Sequence, residues 1–448
     1  MPRVTISDTK DYFLRDGKPF FYLADTVWMA VSNLSIPEWD EYLDCRAEQG
    51  FSAVQVSLLP ILHDTSTSEL NEFGFEIIDN KPEFYKINNA YFDKAVTMVK
   101  MAYERGLTAL LMPLWCNYIP GTWAAERIGA DFTIPYDAVE PYYEYITRRF
   151  APYEPMYSVS GDTRFETQRV CDYYTLSLRL IRKYAPEALT TMHLAPAING
   201  LPDVFVKNPD LDFYMYQSGH HVDENTNPFR FAKVFYSYPK RPAVNGEPSY
   251  EGHGHAFKRE RFSAFEVRMA SWQSLLSGSK AGVSYGAHGL WSFHRKDMQF
   301  TSELFSGYPY TWRAALRFQG AWDVAFAKWI FETLSLFDIE PVNKIESDPQ
   351  KMLADLMAID ASFLVDPIDM DAFRMSESDK HVVIYAPYNI RIVVNGDYQG
   401  YDFSMYVMED RRIAKPQVEF TDNKTIFKMH SFNSDVLIIG TKNEDTDH

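Results

Sequence analysis

The chain has 448 residues, of which 46% are hydrophobic and 16% aromatic, and its net charge at pH 7 is −17. This length is sufficient for one large domain and a smaller one, each with a buried core. The acidic balance, without any run of Lys and Arg, argues against nucleic acid or a membrane as a partner and favours a small neutral or cationic molecule.

The sequence also indicates the compartment. The N-terminal segment MPRVTISDTKDYFLRDGK has no apolar core of a signal peptide. No stretch approaches the roughly 20 apolar residues of a membrane span. The three cysteines, Cys45, Cys116 and Cys171, form neither a disulfide framework nor a CxxC metal motif. We therefore expect a cytoplasmic protein with free thiols, unless a leader has been removed. Its oligomeric state stays open.

Short apolar runs with strand character alternate with amphipathic stretches between residue 20 and about residue 335. The eight runs are FFYLADTVW (20–28), FSAVQVSLL (51–59), LTALLMPLW (107–115), PMYSVSGD (155–162), LTTMHLAPA (189–197), LDFYMYQSGH (211–220), RPAVNGE (241–247) and KAGVSYGAHGLW (280–291). The clearest helical stretches are 35–50, which has a Ser cap and Pro37 near its first turn, 88–106 and 166–188. Eight such units, without a Gly-rich phosphate loop, predict an α/β fold of the (β/α)8 TIM barrel type.

The pattern changes after about residue 340, where short β-rich runs such as HVVIYAP and SDVLIIGT are separated by turn residues. Such runs are typical of a small antiparallel β-sandwich. We therefore predict a barrel domain over residues 1–340 and a β-sandwich domain over residues 341–448.

Functional groups of a barrel come from the carboxyl ends of its strands, because the loops there build the site. Polar and aromatic residues at these ends are Asp25 in the first run, Trp115 in the third, Asp162 in the fourth, Gln217 and His220 in the sixth, Glu247 in the seventh, and His288 and Trp291 in the eighth. Asp25 either binds a sugar hydroxyl or caps the following turn. Trp115 and Trp291 are either stacking platforms or rim packing.

The two acids Asp162 and Glu247 follow strands on opposite sides of an eight-stranded ring. Glycoside hydrolysis needs two carboxyl groups, one that protonates the departing oxygen and one that attacks the anomeric carbon or activates water. For a retaining enzyme the two groups should be about 5–5.5 Å apart. The alternative is that SGD (160–162) and NGE (245–247) are ordinary loop turns whose acidic side chains are exposed to solvent.

A metal site is the competing interpretation of the histidines. His253-Gly-His255 has the HxH spacing of barrel metallohydrolases, but that motif belongs at the end of the first strand, where this chain has Asp25. Serine or cysteine nucleophiles are not expected, and no cysteine has a histidine nearby in the sequence. We predict neither a metal nor an organic cofactor.

Four motifs, DGKPFFYLADTVW, LDFYMYQSGH, AVNGEPSYEG and SYGAHGLWSF, resemble the apiosidase-like glycoside hydrolases (glycoside hydrolase family 140) over about residues 10 to 335. The resemblance implies a barrel followed by a β-sandwich, and release of the branched pentose apiose from plant polysaccharides or glycosides. It makes Asp162 the acid/base and Glu247 the nucleophile. It also implies substrate-binding roles for Asp25, Gln217, His220, Tyr250, Glu251 and His288.

The chain departs from the usual family pattern at Ala24, Ser160 and Cys116, where the family commonly has glycine. These changes leave the catalytic pair intact and bear on the identity of the sugar. Our hypothesis is a retaining exo-glycosidase, in which a low-dielectric cleft and the charge of Glu247 keep Asp162 protonated. The alternatives are action on an arabinofuranoside, galactoside or xyloside, a non-catalytic glycan-binding barrel, and a metal-dependent hydrolase.

Overall fold

A computed structural model describes residues 3–63, 73–196, 198–220, 226–255, 260–300, 306–346 and 372–443. The strands are β1 (Val4–Ile6), β2 (Phe13–Arg15), β3 (Lys18–Phe20), β4 (Tyr22–Thr26), β5 (Ala53–Ser57), β6 (Phe75–Ile78), β7 (Lys81–Ile87), β8 (Thr108–Met112), β9 (Met156–Ser158), β10 (Thr190–Thr191), β11 (Tyr214–Gln217), β12 (Ala243–Glu247), β13 (Gly282–Tyr285), β14 (Glu340–Val342), β15 (Arg374–Glu377), β16 (His381–Ala386), β17 (Ile392–Asn395), β18 (Tyr401–Val407), β19 (Arg412–Ala414), β20 (Val418–Thr421), β21 (Lys424–Phe427) and β22 (Val436–Lys442). The α-helices are α1 (Ala30–Asn33), α2 (Ile36–Glu48), α3 (Asn89–Glu104), α4 (Trp123–Ile128), α5 (Tyr136–Phe150), α6 (Gln168–Tyr184), α7 (Asp203–Val206), α8 (Asn227–Tyr236), α9 (Ala264–Leu275), α10 (Trp312–Ala315) and α11 (Gln319–Leu334).

The central sheet has eight parallel strands in the order β10-β9-β8-β5-β4-β13-β12-β11. Each of the eight predicted apolar runs contains one of them. The backbone N–H groups of Asp212 and Phe213 donate to the carbonyl of Thr190, which brings the two ends of the sheet together. The prediction of a TIM barrel is therefore confirmed.

The sheet of β1, β2 and β3 closes the amino-terminal end of the barrel. Val4, Phe13 and Phe20 from this sheet are buried in one cluster with lumen residues such as Met215 and Val244. Because this apolar layer fills the bottom of the barrel, the carboxyl ends of the strands are left to form the site.

The helices predicted from sequence begin and end near the expected residues. In α2, Ser35 and Glu38 form a capping box, and Pro37 lies in the first turn, where a missing N–H costs nothing. Among the residues described after the fifth barrel strand, the only α-helix before β11 is the single turn α7 (Asp203–Val206). No helix among the described residues is long and apolar enough to cross a membrane.

The C-terminal strands form two antiparallel sheets, β14-β15-β16-β22-β18-β19 and β17-β21-β20. Apolar side chains from both sheets, including Ile384, Phe403 and Phe427, fill one core, so the predicted β-sandwich is confirmed. The boundary that we propose between residues 340 and 341 falls in β14, which pairs with β15.

The β-sandwich packs on helices α9 and α11 of the barrel. The ring of Trp272 in α9 stacks on Tyr385 of β16 at a centroid distance of 6.3 Å. The buried guanidinium of Arg268, also in α9, donates to Asp435 of the sandwich at 2.7 Å and to Asp323 of α11 at 2.7 Å. The contact between the domains thus combines apolar area with a buried ionic cluster.

Candidate active site

A β-bulge at Gly246 determines where the carboxylate of Glu247 points. In the β11–β12 ladder, Tyr216 pairs with Asn245 and Gln217 pairs with Glu247, so Gly246 is an extra residue. Strict alternation would turn Glu247 to the outer face with Asn245; the bulge turns it to the lumen instead. A Cβ atom on Gly246 would lie 2.4 Å from Cγ of Met215, so only glycine fits here.

Four side-chain N–H groups converge on Glu247, which is 6% exposed. Its Oε1 accepts a hydrogen bond from Nε2 of Gln217 at 2.6 Å and lies 3.0 Å from Nε2 of His220. Its Oε2 accepts from Nε1 of Trp28 at 2.9 Å and lies 3.3 Å from Nε2 of His193. A carboxylate that only accepts from donors is ionised, as a nucleophile must be.

The backbone fixes the tautomers of both imidazoles. Nδ1 of His220 accepts a hydrogen bond from the backbone N–H of Tyr250 at 3.1 Å. Nδ1 of His193 accepts from the backbone N–H of Asp162 at 3.4 Å. Since an accepting nitrogen carries no proton, each neutral ring carries its proton on Nε2, the atom that faces Glu247.

These contacts determine the pKa of Glu247. Burial alone would raise that pKa, but the hydrogen bonds and the electrostatic attraction of His193 and His220 outweigh burial and hold it well below its ordinary value. The charge of Glu247 acts in turn on Tyr250, whose pKa is raised well above its usual value, first by burial and then by that charge.

Asp162 follows β9 in a left-handed backbone conformation, with φ of 50°. This conformation is uncommon for a residue other than glycine, though Asp tolerates it better than most, and such strain concentrates at functional sites. The carbonyl of Asp162 accepts from Nε1 of Trp123 at 2.9 Å. The preceding Gly161 is in close contact with Trp115, because an added Cβ would lie 2.6 Å from the indole ring.

The structure thus brings five predicted site residues to one place: Trp115, Asp162, Gln217, His220 and Glu247. Tyr250 belongs to the same group, because its hydroxyl accepts from Nε1 of Trp28 at 2.9 Å. The catalytic and substrate-binding roles of these residues remain predictions.

Two predicted substrate-binding acids lie outside this group, and we correct their placement. Asp25 is 0% exposed and faces the helix layer, where Tyr42 and Arg46 of α2 donate to its carboxylate at 2.9 and 2.5 Å. Glu251 accepts from the hydroxyl of Tyr285 at 2.7 Å and from the backbone N–H of Gly320, in the first turn of α11, at 2.8 Å. Both carboxylates join the barrel wall to its helices.

His288 and Trp291 lie further from Glu247. The rings of His220, His253 and His288 follow one another at centroid distances of 4.8 and 5.0 Å, so His288 is the third imidazole of a row. Burial, with the smaller electrostatic effects of His253, Arg261 and His220, lowers the pKa of His288 to about 2. Trp291 is buried, and its carbonyl accepts from the backbone N–H of Met29 at 3.1 Å.

The HxH motif does not converge on one point. His253 packs between His220 and His288, whereas His255 packs on Phe262 at 4.4 Å. Within the ranges that the structure describes, no three His, Cys, Asp or Glu side chains are grouped to hold a metal ion.

Three residues of the site were missed from sequence: Trp28, Trp123 and His193. His193 lies in the middle of the fifth apolar run but only two residues after β10 ends, so the sequence pattern placed it inside the strand rather than at its carboxyl end. Trp28 is the last residue of the first run, where the carboxyl-end rule applies. Trp123 lies in α4, after a long loop, and no pattern in the sequence points to it.

A comparison with known protein families matches residues 7–338 to the apiosidase-like catalytic domain. The chain belongs to the apiosidase-like family. The resemblance predicted from four motifs is thereby confirmed, and this apiosidase-like chain is a glycoside hydrolase that acts on carbohydrate. No curated protein matches it.

Solved structures share the fold of this apiosidase-like chain. A glycoside hydrolase has a TM-score of 0.78 at 18% identity, over 99% of this chain and 97% of its own. A glycoside hydrolase family 5 protein from Bacteroides vulgatus ATCC 8482 has a TM-score of 0.76 at 20% identity, over 98% of this chain and 93% of its own. At these identities the likeness concerns the fold, including the C-terminal domain.

The pKa of Glu247 predicts a pH dependence for the apiosidase-like enzyme. Since the ionised form is active and its pKa is depressed, activity should persist below about pH 4.3, the ordinary pKa of Glu, and fall as the pH drops through the folded-state value. His220→Asn keeps an acceptor for Tyr250 and removes one donor to Glu247. We expect the acidic limb of kcat/KM to move up by about 1–2 pH units.

The control for this experiment is His430→Asn in the β-sandwich, where Nδ1 of His430 also accepts a backbone N–H, that of Phe432, at 3.2 Å. It should leave the pH profile unchanged. An unshifted acidic limb in His220→Asn would show that this imidazole does not set the ionisation of Glu247.

Proposed function

We propose that this protein is a retaining exo-glycosidase that releases a sugar, apiose in the first instance, from plant-derived glycosides or oligosaccharides. The observation that carries this proposal is the set of three N–H donors to Glu247, from Trp28, Gln217 and His220, together with the His193 ring, which contacts both Glu247 and Asp162. One carboxylate is held ionised, and a second carboxyl group contacts the same imidazole.

In the first step, an oxygen of Glu247 bonds to the anomeric carbon while the glycosidic C–O bond breaks and Asp162 gives its proton to the departing oxygen. In the second step, Asp162 takes a proton from water, the water oxygen attacks the anomeric carbon, and the bond to Glu247 breaks. The donors that favour the ionised form of Glu247 also make it a good leaving group in this second step.

The position of Asp162 supports its role as acid/base. Its side chain is 21% exposed, compared with 7% for that of Glu247. The carboxyl group of Asp162 is therefore more accessible to the departing group of a bound glycoside. Its backbone is held on two sides, by Trp123 at the carbonyl and by His193 at the N–H. A fixed backbone limits the positions from which the carboxyl group can transfer a proton.

Sugar binding is proposed for the aromatic and polar side chains beside this pair: Trp115, Gln217, His220 and Tyr250, with His288 and Trp291 further back in the wall. Nε1 of Trp115 is buried and has no acceptor among the described residues. The indole faces and the Tyr250 hydroxyl provide the mixed apolar and polar surface that a sugar needs.

The test is a panel of nitrophenyl glycosides of apiose, arabinofuranose, galactose and xylose, with the first anomer of the released sugar followed by NMR. We expect turnover with retained configuration. An inverted first product would contradict the retaining mechanism. Binding of glycans without turnover of any glycoside would instead favour the non-catalytic barrel.

A further inference from the structure

His193 contacts both carboxyl groups of the proposed catalytic pair. Its Nδ1 lies 3.6 Å from Oδ1 of Asp162, and its Nε2 lies 3.3 Å from Oε2 of Glu247. The side chain is 0% exposed.

The ring is held in one orientation. The indoles of Trp28 and Trp115 lie against it, at centroid distances of 5.0 and 6.0 Å. The backbone of His193 is bonded to the strand that leads to Asp162, because the hydroxyl of Ser160 donates to the His193 carbonyl at 2.9 Å. A ring fixed by packing and by neighbouring strands positions its partners accurately.

We propose that His193 is a positioning residue for both half-reactions, an inference that rests on the retaining function proposed above. Its unprotonated Nδ1 accepts the backbone N–H of Asp162 and holds that residue in its left-handed conformation. Its Nε2–H faces the oxygen of Glu247 that also accepts from Trp28. One imidazole thus aligns the acid with the nucleophile.

His220 provides an internal comparison, because it shares only one of these two functions. Its Nε2 also faces Glu247, at 3.0 Å, but its Nδ1 accepts from Tyr250 rather than from the acid. Loss of the Nε2 donor should therefore have the same effect at both positions. Loss of the Nδ1 acceptor should impair acid catalysis only at His193.

Two conservative substitutions separate the two functions of the ring. In His193→Gln the side-chain amide reaches the place of Nε2 and keeps a donor to Glu247, but the acceptor for Asp162 is lost. In His193→Asn the amide oxygen takes the place of Nδ1 and keeps the acceptor, but the donor to Glu247 is lost. His220→Asn is the matched variant that removes the donor alone.

The probes are dinitrophenyl and methyl β-apiosides, because a dinitrophenolate departs without a proton and methanol does not. We expect His193→Gln to lower kcat/KM for the methyl glycoside about 100-fold and to change that for the dinitrophenyl glycoside less than about threefold. We expect His193→Asn and His220→Asn to lower both alike, by about tenfold, and to raise the acidic limb of the pH profile.

Circular dichroism first establishes that His193→Gln is folded. In a folded variant, an equal fall in kcat/KM for both glycosides, or no fall for either, would overturn the proposal. If the parent enzyme hydrolyses neither apioside, the proposed sugar is wrong and the inference is judged by nitrogen NMR of the imidazoles. A proton on Nδ1 of His193, or exchange between tautomers, would then refute it; a fixed Nε2–H tautomer would support it.

Discussion

Replacing Glu247 with alanine should lower kcat by at least about 10⁴-fold, because no other carboxylate in the described lumen is placed to form the glycosyl-enzyme. Circular dichroism and thermal unfolding should show a folded protein, since the four donors around Glu247 regain partners in water that fills the vacated space. The measurement is hydrolysis of the preferred nitrophenyl glycoside found in the panel.

Azide offers a second readout for the same variant. The space left by the Glu247 side chain admits a small anion on the nucleophile's side of the sugar. We expect azide to restore hydrolysis of a dinitrophenyl glycoside and to give a glycosyl azide of inverted configuration. Residual turnover of Glu247→Ala within tenfold of the parent, without azide, would refute the assignment of the nucleophile.

The matched control is Glu251→Gln, four residues further along the chain. Glu251 is also a buried acid, but its carboxylate accepts from Tyr285 and Gly320 on the outer side of the barrel wall, and a glutamine oxygen keeps both acceptor roles. Burial raises the pKa of Glu251, so the neutral amide is a modest change. This variant should keep activity within about threefold of the parent.

Replacing Asp162 with asparagine should separate the two half-reactions. With a methyl glycoside, we expect kcat/KM to fall by about 10²–10⁴-fold, the range that general acid catalysis contributes. With a dinitrophenyl glycoside the first step should remain close to that of the parent, while the second step slows because water has lost its base. A burst of dinitrophenolate, followed by slow turnover, is the expected kinetic signature.

Glu166→Gln is the control for this second prediction. Its carboxylate is exposed and accepts from the backbone N–H of Trp123 at 2.9 Å, a bond that glutamine can keep. The Glu166→Gln variant should show neither the burst of dinitrophenolate nor the fall in kcat/KM for methyl glycosides. If Asp162→Asn lowered kcat/KM equally for the methyl and the dinitrophenyl glycoside, the assignment of Asp162 as the acid/base would be contradicted.

The barrel and five of its site residues were predictable from sequence because strand ends are local features. Apolar runs bounded by turn residues marked the strands, and the carboxyl-end rule then selected Trp115, Asp162, Gln217, His220 and Glu247. The confirmed family model over residues 7–338 agrees with that interpretation. The long α5, with Pro141 inside it, and the short β6–β7 hairpin gave no comparably clear pattern.

The direction of each side chain was not predictable. Strands of a parallel barrel are buried on both faces, so the sequence pattern does not distinguish the lumen from the helix layer. Asp25 and Glu247 both end apolar runs, yet one faces Arg46 and the other faces the lumen. For Glu247 the outcome depends on the bulge at Gly246, and an inserted ladder residue leaves no separate mark in a single sequence.

The ionic cluster around Arg268 affects whether the catalytic domain is stable without the β-sandwich domain. Helix α9 carries Arg268 and Trp272 towards the β-sandwich, and its Ser274 accepts from the amide of Asn245, two residues before the nucleophile, at 3.0 Å. Removal of the C-terminal domain would take Asp435 away from the guanidinium of Arg268 and Tyr385 away from the indole of Trp272, directly behind the catalytic strand. A truncated catalytic module should therefore unfold at a lower temperature than the whole chain, and the two domains should melt together in one calorimetric transition.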